Sequence, residues 1–164
     1  MGEPVFFPLF VDISKKNFLI IGGGKIALRR VQTLLGFTRN LTIVSPELQD
    51  DLELLVKKEN LDWKKDFYNK EYLDGADYVL AATNDPICNE TVVADCKKRR
   101  IPVNASHRKE LCDFYFPSIV QEDHMVVGIC GSGLDHRMVK ETRIKIQDAL
   151  QSKDVSKDEI KQKE

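Results

Sequence analysis

Short apolar runs alternate with stretches of helical spacing along the first two-thirds of the chain. Phe18–Ile21 is apolar at every position, the pattern of a strand buried on both faces. Ala27, Val31, Leu34 and Leu35 then recur at helical spacing, and Gly36 stands where a C-cap glycine belongs. A second β-branched run covers Leu41–Ser45, followed by an amphipathic helix over Leu48–Glu59. Asp62–Phe67 reads as a short edge strand anchored by Trp63 and Phe67, and Asp77–Thr83 as another buried strand. Asp85 as N-cap with Pro86 at the first helical position starts a helix that turns Val92, Val93 and Cys96 inward. That helix ends in the basic run Lys97–Arg100, which complements the helix dipole. Ile101–Asn104 is one more short strand. The alternation predicts an α/β fold, a Rossmann-like doubly wound parallel sheet.

Beyond residue 112 the pattern changes. Cys112–Val120 and His124–Cys130 read as two strands joined by the polar turn Gln121–Asp123, and a helix follows over Leu134–Leu150 with Val139, Thr142, Ile146, Ala149 and Leu150 on one stripe. An antiparallel pair after a parallel set suggests a separate element, a dimerisation sheet. The predicted organisation is therefore residues 1–112 as a nucleotide-binding domain and 113–150 as a strand-pair-plus-helix dimerisation segment. Residues 151–164 are predicted to be a charged tail, a frayed helix end or disordered.

The chemistry concentrates where the first strand meets the first helix. Gly22 and Gly24, with Ala27 in the third small position, match the G-x-G-x-x-G/A spacing of a dinucleotide-binding βαβ unit. Gly22 allows a tight turn, Gly24 allows backbone N–H groups to approach a diphosphate, and Ala27 allows close helix–strand packing. The helix N-terminus, opening with Lys25 and Ile26, offers unpaired N–H groups to the anion. At the end of the second strand, where an acidic residue would take the ribose hydroxyls, Ser45 and Pro46 precede Glu47, which leaves NAD and NADP both open. Thr83, Asn84 and Asp85 fall at the C-terminal end of a central strand, beside the crevice in which doubly wound sheets bind ligands.

Composition narrows the classes. Across 164 residues, 25 basic side chains against 26 acidic ones give no global field for a nucleic acid or a membrane surface. No apolar run approaches the roughly 20 residues of a membrane span, and the N-terminus lacks a signal peptide's pattern, so a cytoplasmic location is expected. Cys88, Cys96, Cys112 and Cys130 have neither C-x-x-C nor metal-ligand spacing and read as reduced, mostly packed thiols.

Taken in order, the run from Phe7 to Ile13, Gly22–Ala27, Val44–Glu47, Ala81–Asp85, Val103–Asn104 and Glu110–Val120 resemble the precorrin-2 dehydrogenases. These are the siroheme synthase N-terminal domains, some of which also insert iron. The resemblance covers about residues 5 to 150. It implies NAD-dependent oxidation of precorrin-2 to sirohydrochlorin by a homodimer that interlocks through residues 113–150, with Fe(II) as a further substrate in bifunctional members. It also implies cofactor contacts from Gly22, Gly24, Lys25, Ile26, Ser45, Pro46, Thr83, Asn84, Asp85 and Asn104.

The chain departs from the family at three places. The aspartate that the family uses for proton transfer and metal handling falls on His107, followed by Arg108. An ordinary imidazole titrates near about 6.5, so its neutral form can take a proton or ligate iron. The family's Ser/Thr-Gly-Gly-x-Ser-Pro run is replaced by residues 131–136, which places His136 and Arg137 at the start of the last helix. With Arg108 and Lys140 they are candidate contacts for a carboxylate-rich tetrapyrrole, set against the ordinary reading as surface charge. Family members also continue into a small helical domain that helps cover the tetrapyrrole, where this chain has a polar tail, so either the substrate site is more open, or the cover comes from another protein, or this is a shortened form. Two functions remain in view: the enzyme, and an NAD- or tetrapyrrole-binding module without turnover.

Overall fold

The structure, a computed structural model, describes residues 6–132 and 135–161, with side chains described as far as residue 151. Two compact units result: Val11–Tyr115, and the described residues of Met1–Phe10 with Phe116–Glu164.

The first unit is a five-stranded sheet in the order β3-β2-β1-β4-β5. Its strands are β1 (Phe18–Ile21), β2 (Leu41–Val44), β3 (Asp62–Lys64), β4 (Tyr78–Ala81) and β5 (Val103–Ala105), and every pairing is parallel. Central β1 pairs Ile21 with Val44 on one side and with Ala81 on the other. Parallel strands need long crossovers, and helices α1 (Lys25–Leu34), α2 (Asp50–Glu59) and α3 (Pro86–Arg99) supply most of them. Ile20, Ile43, Val79 and Val103 are fully buried, as the all-apolar runs require of a sheet covered on both faces. Ala27 and Val31 of α1 are also fully buried, so the small third position of the glycine pattern does bring helix close to sheet.

Several elements differ from the pattern reading, each for a local reason. β3 stops at Lys64, because the Asp66 N–H turns back to the Lys64 carbonyl at 2.8 Å. Phe67 is thereby 76% exposed and anchors nothing, whereas Trp63 is held by its Nε1–H donating to the Ser45 carbonyl at 3.0 Å. Gly36 follows the C-cap Leu35 as expected, but α1 unwinds through tight turns without a left-handed residue there. The crossover from β3 to β4 carries only the 3-10 turn Lys70–Leu73, which the periodicity missed and which buries Leu73.

The largest revision concerns residues 112–117, which form no strand. Asp113 exchanges hydrogen bonds with Val103, Oδ2 accepting from its N–H at 3.0 Å and the Asp113 N–H donating to its carbonyl at 2.8 Å. Asn104 Nδ2 donates to the Phe114 carbonyl at 2.8 Å. Through Asp113 and Phe114 the segment braces the edge of β5.

In the second unit, β6 (Ser118–Glu122) and β7 (Met125–Ile129) form an antiparallel hairpin, with Glu122 opposite Met125 and Asp123 in the left-handed region at φ 49°. Helix α4 spans His136–Lys161, well beyond Leu150. That stretch contains no glycine or proline, so nothing in it breaks a helix. The expected start at Leu134 and the glycine at 133 lie outside the described residues. Along α4, Val139, Thr142, Ile146 and Leu150 are half-buried, while Ala149 is exposed. Among the described residues of this unit, only Val120 is an apolar side chain buried to core level.

Candidate functional site

The turn from β1 to α1 is built from three glycines with three different needs. Gly22 has φ +121°, and a Cβ there would lie 2.5 Å from the Ala82 carbonyl oxygen, so the backbone itself demands glycine. A Cβ on Gly23 would lie 2.0 Å from the Glu47 carbonyl oxygen and 2.8 Å from Ser45 Oγ. The neighbouring β2 turn is packed onto this residue, and Gln49 N–H donates to the Gly23 carbonyl at 2.9 Å. Gly24 is different. Its φ of −91° suits any residue, and a Cβ there would meet nothing within 4 Å. Among the described residues no contact requires its bareness, which fits a ligand that approaches the backbone.

Helix α1 also begins without help. Gly24 is its N-cap and supplies no side-chain hydrogen bond, and the first turn holds no acidic residue. The other two helices whose N-termini carry candidate residues are capped internally. At α3, Asp85 Oδ1 accepts from Ile87 N–H at 2.9 Å; at α4, Asp135 Oδ1 accepts from Met138 N–H at 2.8 Å. α2 is likewise uncapped at Gln49 but carries Asp50, Asp51 and Glu53 in its first turn, so the N–H groups of α1 are the better suited to an anion.

The remaining candidates of the first unit collect at the same C-terminal edge of the sheet. Ser45 is buried, with its hydroxyl donating to the Glu47 carbonyl at 2.7 Å, so its proton shapes the β2 turn, while Pro46 and Glu47 are exposed. Thr83 Oγ1 is engaged within the β4 turn, accepting from Asp85 N–H at 3.1 Å and lying 2.8 Å from Asn89 Oδ1. Asn84 is exposed at the tip of that turn, and Lys25 and Ile26 are exposed at the start of α1. Asn104 is 6% exposed and turned to the Phe114 carbonyl.

His107 sits on an exposed turn directly after β5, closed by Arg108 N–H donating to the Ala105 carbonyl at 3.3 Å. Ser106 N–H ties the turn to the Ala81 carbonyl at 2.9 Å. Arg108 is ion-paired with Glu90 of α3. Cys112 braces the same turn: its Sγ accepts from Ala105 N–H at 3.2 Å and also lies 3.2 Å from the Ala105 carbonyl oxygen. Burial raises the Cys112 thiol above its ordinary value and pushes Cys96 up to about 12, so both stay protonated at neutral pH. All four cysteines are free.

His136 and Arg137 belong to the second unit, exposed on the first turn of α4, with Arg137 Nε donating to Glu141 Oε1 at 2.9 Å. An open groove of about 550 Å³ lies elsewhere, at the N-terminal ends of the parallel strands, where Asn17, Asn40, Asp62 and Ala76 line it. It faces away from the glycine turn and carries none of the candidate residues.

Sequence reasoning overlooked Gly23, Asn89, Cys112 and Asp113. Asn89 was visible in principle, since it shares the inward stripe of α3 with Val92, Val93 and Cys96. The others act through contacts with other segments, Gly23 with the β2 turn and Cys112 and Asp113 with β5, which spacing along the chain does not reveal.

The sequence model of a family described as "Putative NAD(P)-binding" matches residues 9–118. The chain belongs to this family. It is 36% identical over 149 residues to the "Probable multifunctional siroheme biosynthesis protein HemA" of Ruminiclostridium josui, covering 90% of this chain and 29% of that protein. It is also 36% identical over 141 residues to a siroheme synthase of Psychrobacter sp. (strain PRwf-1), covering 86% of this chain and 29% of that protein. The chain thus spans less than a third of the length of these relatives. Among solved structures, the precorrin-2 dehydrogenase SirC superposes with a TM-score of 0.72 at 22% identity, over 88% of this chain and 71% of that one. That likeness establishes the fold. The residues of the glycine turn fit a nicotinamide dinucleotide, whose diphosphate suits the uncapped α1 N-terminus and the open face of Gly24.

Proposed function

We propose that this chain carries an NAD-dependent dehydrogenase activity that oxidises precorrin-2 to sirohydrochlorin in siroheme formation, acting in the cytoplasm. The observation that carries the reading is Gly24, bare on a face where no atom of the described residues lies within 4 Å of a Cβ. Gly22, Lys25, Ile26, Ser45, Pro46, Thr83, Asn84, Asp85 and Asn104 complete the cofactor side of the proposal. NAD is preferred to NADP because exposed Glu47 adds negative charge at the turn where a 2′-phosphate would lie.

Bound NAD supplies the hydride acceptor. Removing two hydrogens from the tetrapyrrole sends one away as hydride and the other as a proton, and the chain has to receive that proton. His107 is the proposed acceptor, an imidazole on a braced turn at the cofactor end of the sheet. Arg108, His136 and Arg137 are the proposed contacts for substrate carboxylates. Arg108 and Arg137 already face Glu90 and Glu141, so a carboxylate would compete with those partners. Iron insertion is a separate part of the proposal, with Fe(II) as a substrate and His107 as the proposed protein ligand.

The homodimer is also proposed, and the second unit supports it. A hairpin and a helix with Val120 as the single core-level apolar residue described cannot hold themselves together by burial. Met125, Met138 and Ile144 stay exposed in the monomer, and a second copy would cover such surface.

The test is NADH formation from precorrin-2 and NAD by the pure protein, with His107→Ala alongside. The expected result is turnover in the wild type and a loss of roughly 100-fold in the variant, the usual scale for an acid–base group. NAD binding without any sirohydrochlorin would establish the binding-module reading instead. Equal rates would remove His107 from the mechanism.

A further inference from the structure

Asn89 is a fully buried polar side chain that the cofactor reading leaves unassigned. It serves one residue. Its Nδ2 donates to the Thr83 carbonyl at 3.1 Å, and its Oδ1 accepts from Thr83 N–H at 3.1 Å and from Thr83 Oγ1 at 2.8 Å. A single amide thus satisfies the N–H, the C=O and the hydroxyl of Thr83. Thr83 Oγ1 in turn accepts from Asp85 N–H at 3.1 Å, and Asp85 caps α3.

The location gives this arrangement its consequence. The last bond joining β4 to β1 is Ala82 N–H to the Ile21 carbonyl at 2.8 Å, so Thr83 stands just beyond the sheet, where the ladder no longer holds the chain. Gly22 is seated against that stretch: its missing Cβ would lie 2.5 Å from the Ala82 oxygen and 3.0 Å from the Thr83 nitrogen. Asn89 therefore replaces the ladder with side-chain bonds, and fixes the wall on which the first residue of the glycine turn rests.

Resting on the cofactor reading above, we infer that Asn89 is a positioning residue for the nicotinamide half of the dinucleotide, acting through Thr83 and leaving the adenosine half to the β2 side. The division follows from the strand order. The adenosine ribose belongs at the end of β2 and the diphosphate at the glycine turn after β1, so the remaining half extends over β4. Only asparagine fits the three bonds. Aspartate would set a carboxylate oxygen against the Thr83 carbonyl, and leucine, of similar size, would leave the Thr83 N–H and carbonyl without their partner and the hydroxyl with only the Asp85 carbonyl at 3.0 Å.

The experiment compares equilibrium binding of NAD and of AMP by the full chain in wild type, Asn89→Leu and Thr83→Val, with thermal unfolding recorded for each. Thr83→Val keeps the two backbone bonds and removes only the hydroxyl, so it serves if Asn89→Leu does not fold. The expected result is NAD affinity lowered about tenfold in Asn89→Leu and about threefold in Thr83→Val, with AMP affinity unchanged in both. A fall in AMP affinity equal to that for NAD, or unchanged NAD affinity in folded variants, overturns the inference. Wild-type protein that binds neither ligand overturns the cofactor reading itself, and the inference with it.

Discussion

Two neighbouring strands of the same sheet end in turns of opposite construction. After β1 the chain reaches α1 through Gly22–Gly24, with no side chain in the turn and none capping the helix. After β4 it reaches α3 through Thr83–Asp85, where Asn89 holds Thr83 and Asp85 caps the helix N-terminus. The difference teaches how to separate a binding surface from a structural turn. The β4 turn is complete as it stands, while the β1 turn leaves helix N–H groups and the face of Gly24 to something outside the chain.

Substitutions can break that comparison in graded steps. The largest effect is expected at Gly23→Ala, because the new Cβ would fall 2.0 Å from a backbone oxygen that cannot move without unseating the β2 turn. Chemical denaturation should show a loss of about 3 kcal/mol or more. One residue further, Gly24→Val should leave stability within about 1 kcal/mol and weaken NAD binding roughly tenfold by titration. Equal stability losses at the two positions would mean that Gly24 is structural after all.

At the β4 turn, Asp85→Ala should cost about 1 kcal/mol of unfolding free energy through the lost cap. A negligible loss would show that this turn does not depend on its internal partners. The smallest effect is expected at the far end of β4, where Asp77 accepts from Asn17 N–H at 2.9 Å and pairs with Lys16 at 3.0 Å. The Asn17 N–H first, and the Lys16 side chain second, hold the Asp77 carboxyl below its ordinary value of 3.8. A lowered folded-state value stabilises above the unfolded value and fades as pH falls through the folded one. Asp77→Asn should therefore unfold more easily than wild type at neutral pH, with the difference closing below about pH 4 in thermal melts. A difference that persists in acid would assign the effect to packing.

The two compact units make a second contrast. Val11–Tyr115 has a core of fully buried β-branched and small side chains, whereas the unit of Phe116 onwards has Val120 as its one core-level apolar residue described. Their legibility differs for the same reason. Buried strands must be apolar throughout, so the runs at Phe18, Leu41 and Tyr78 announced themselves, and hydrophobic periodicity located α1 and α3. The antiparallel pair was legible from its apolar runs too, but its first strand starts at Ser118 rather than Cys112. Residues 112–117 look like strand by composition, yet they lie along β5 and brace it through Asp113 and Phe114. Phe67 misled similarly, because an apolar residue past the end of a strand has no face to occupy.

By itself the sequence determined the parallel α/β sheet, the glycine turn with Gly22, Gly24 and Ala27, and the Asp85–Pro86 start of α3. Each depends on local backbone preference or on a periodic apolar pattern, and both are written along the chain. Only the tertiary structure decided that Gly23 is held by the β2 turn, that Ser45 and Thr83 turn their hydroxyls inward, and that Asn89 and Cys112 brace the turns of the site. Those roles depend on hydrogen bonds and contacts that form only once the strand ends are brought together. Side-chain identity alone does not reveal whether a polar group faces a ligand or its own backbone.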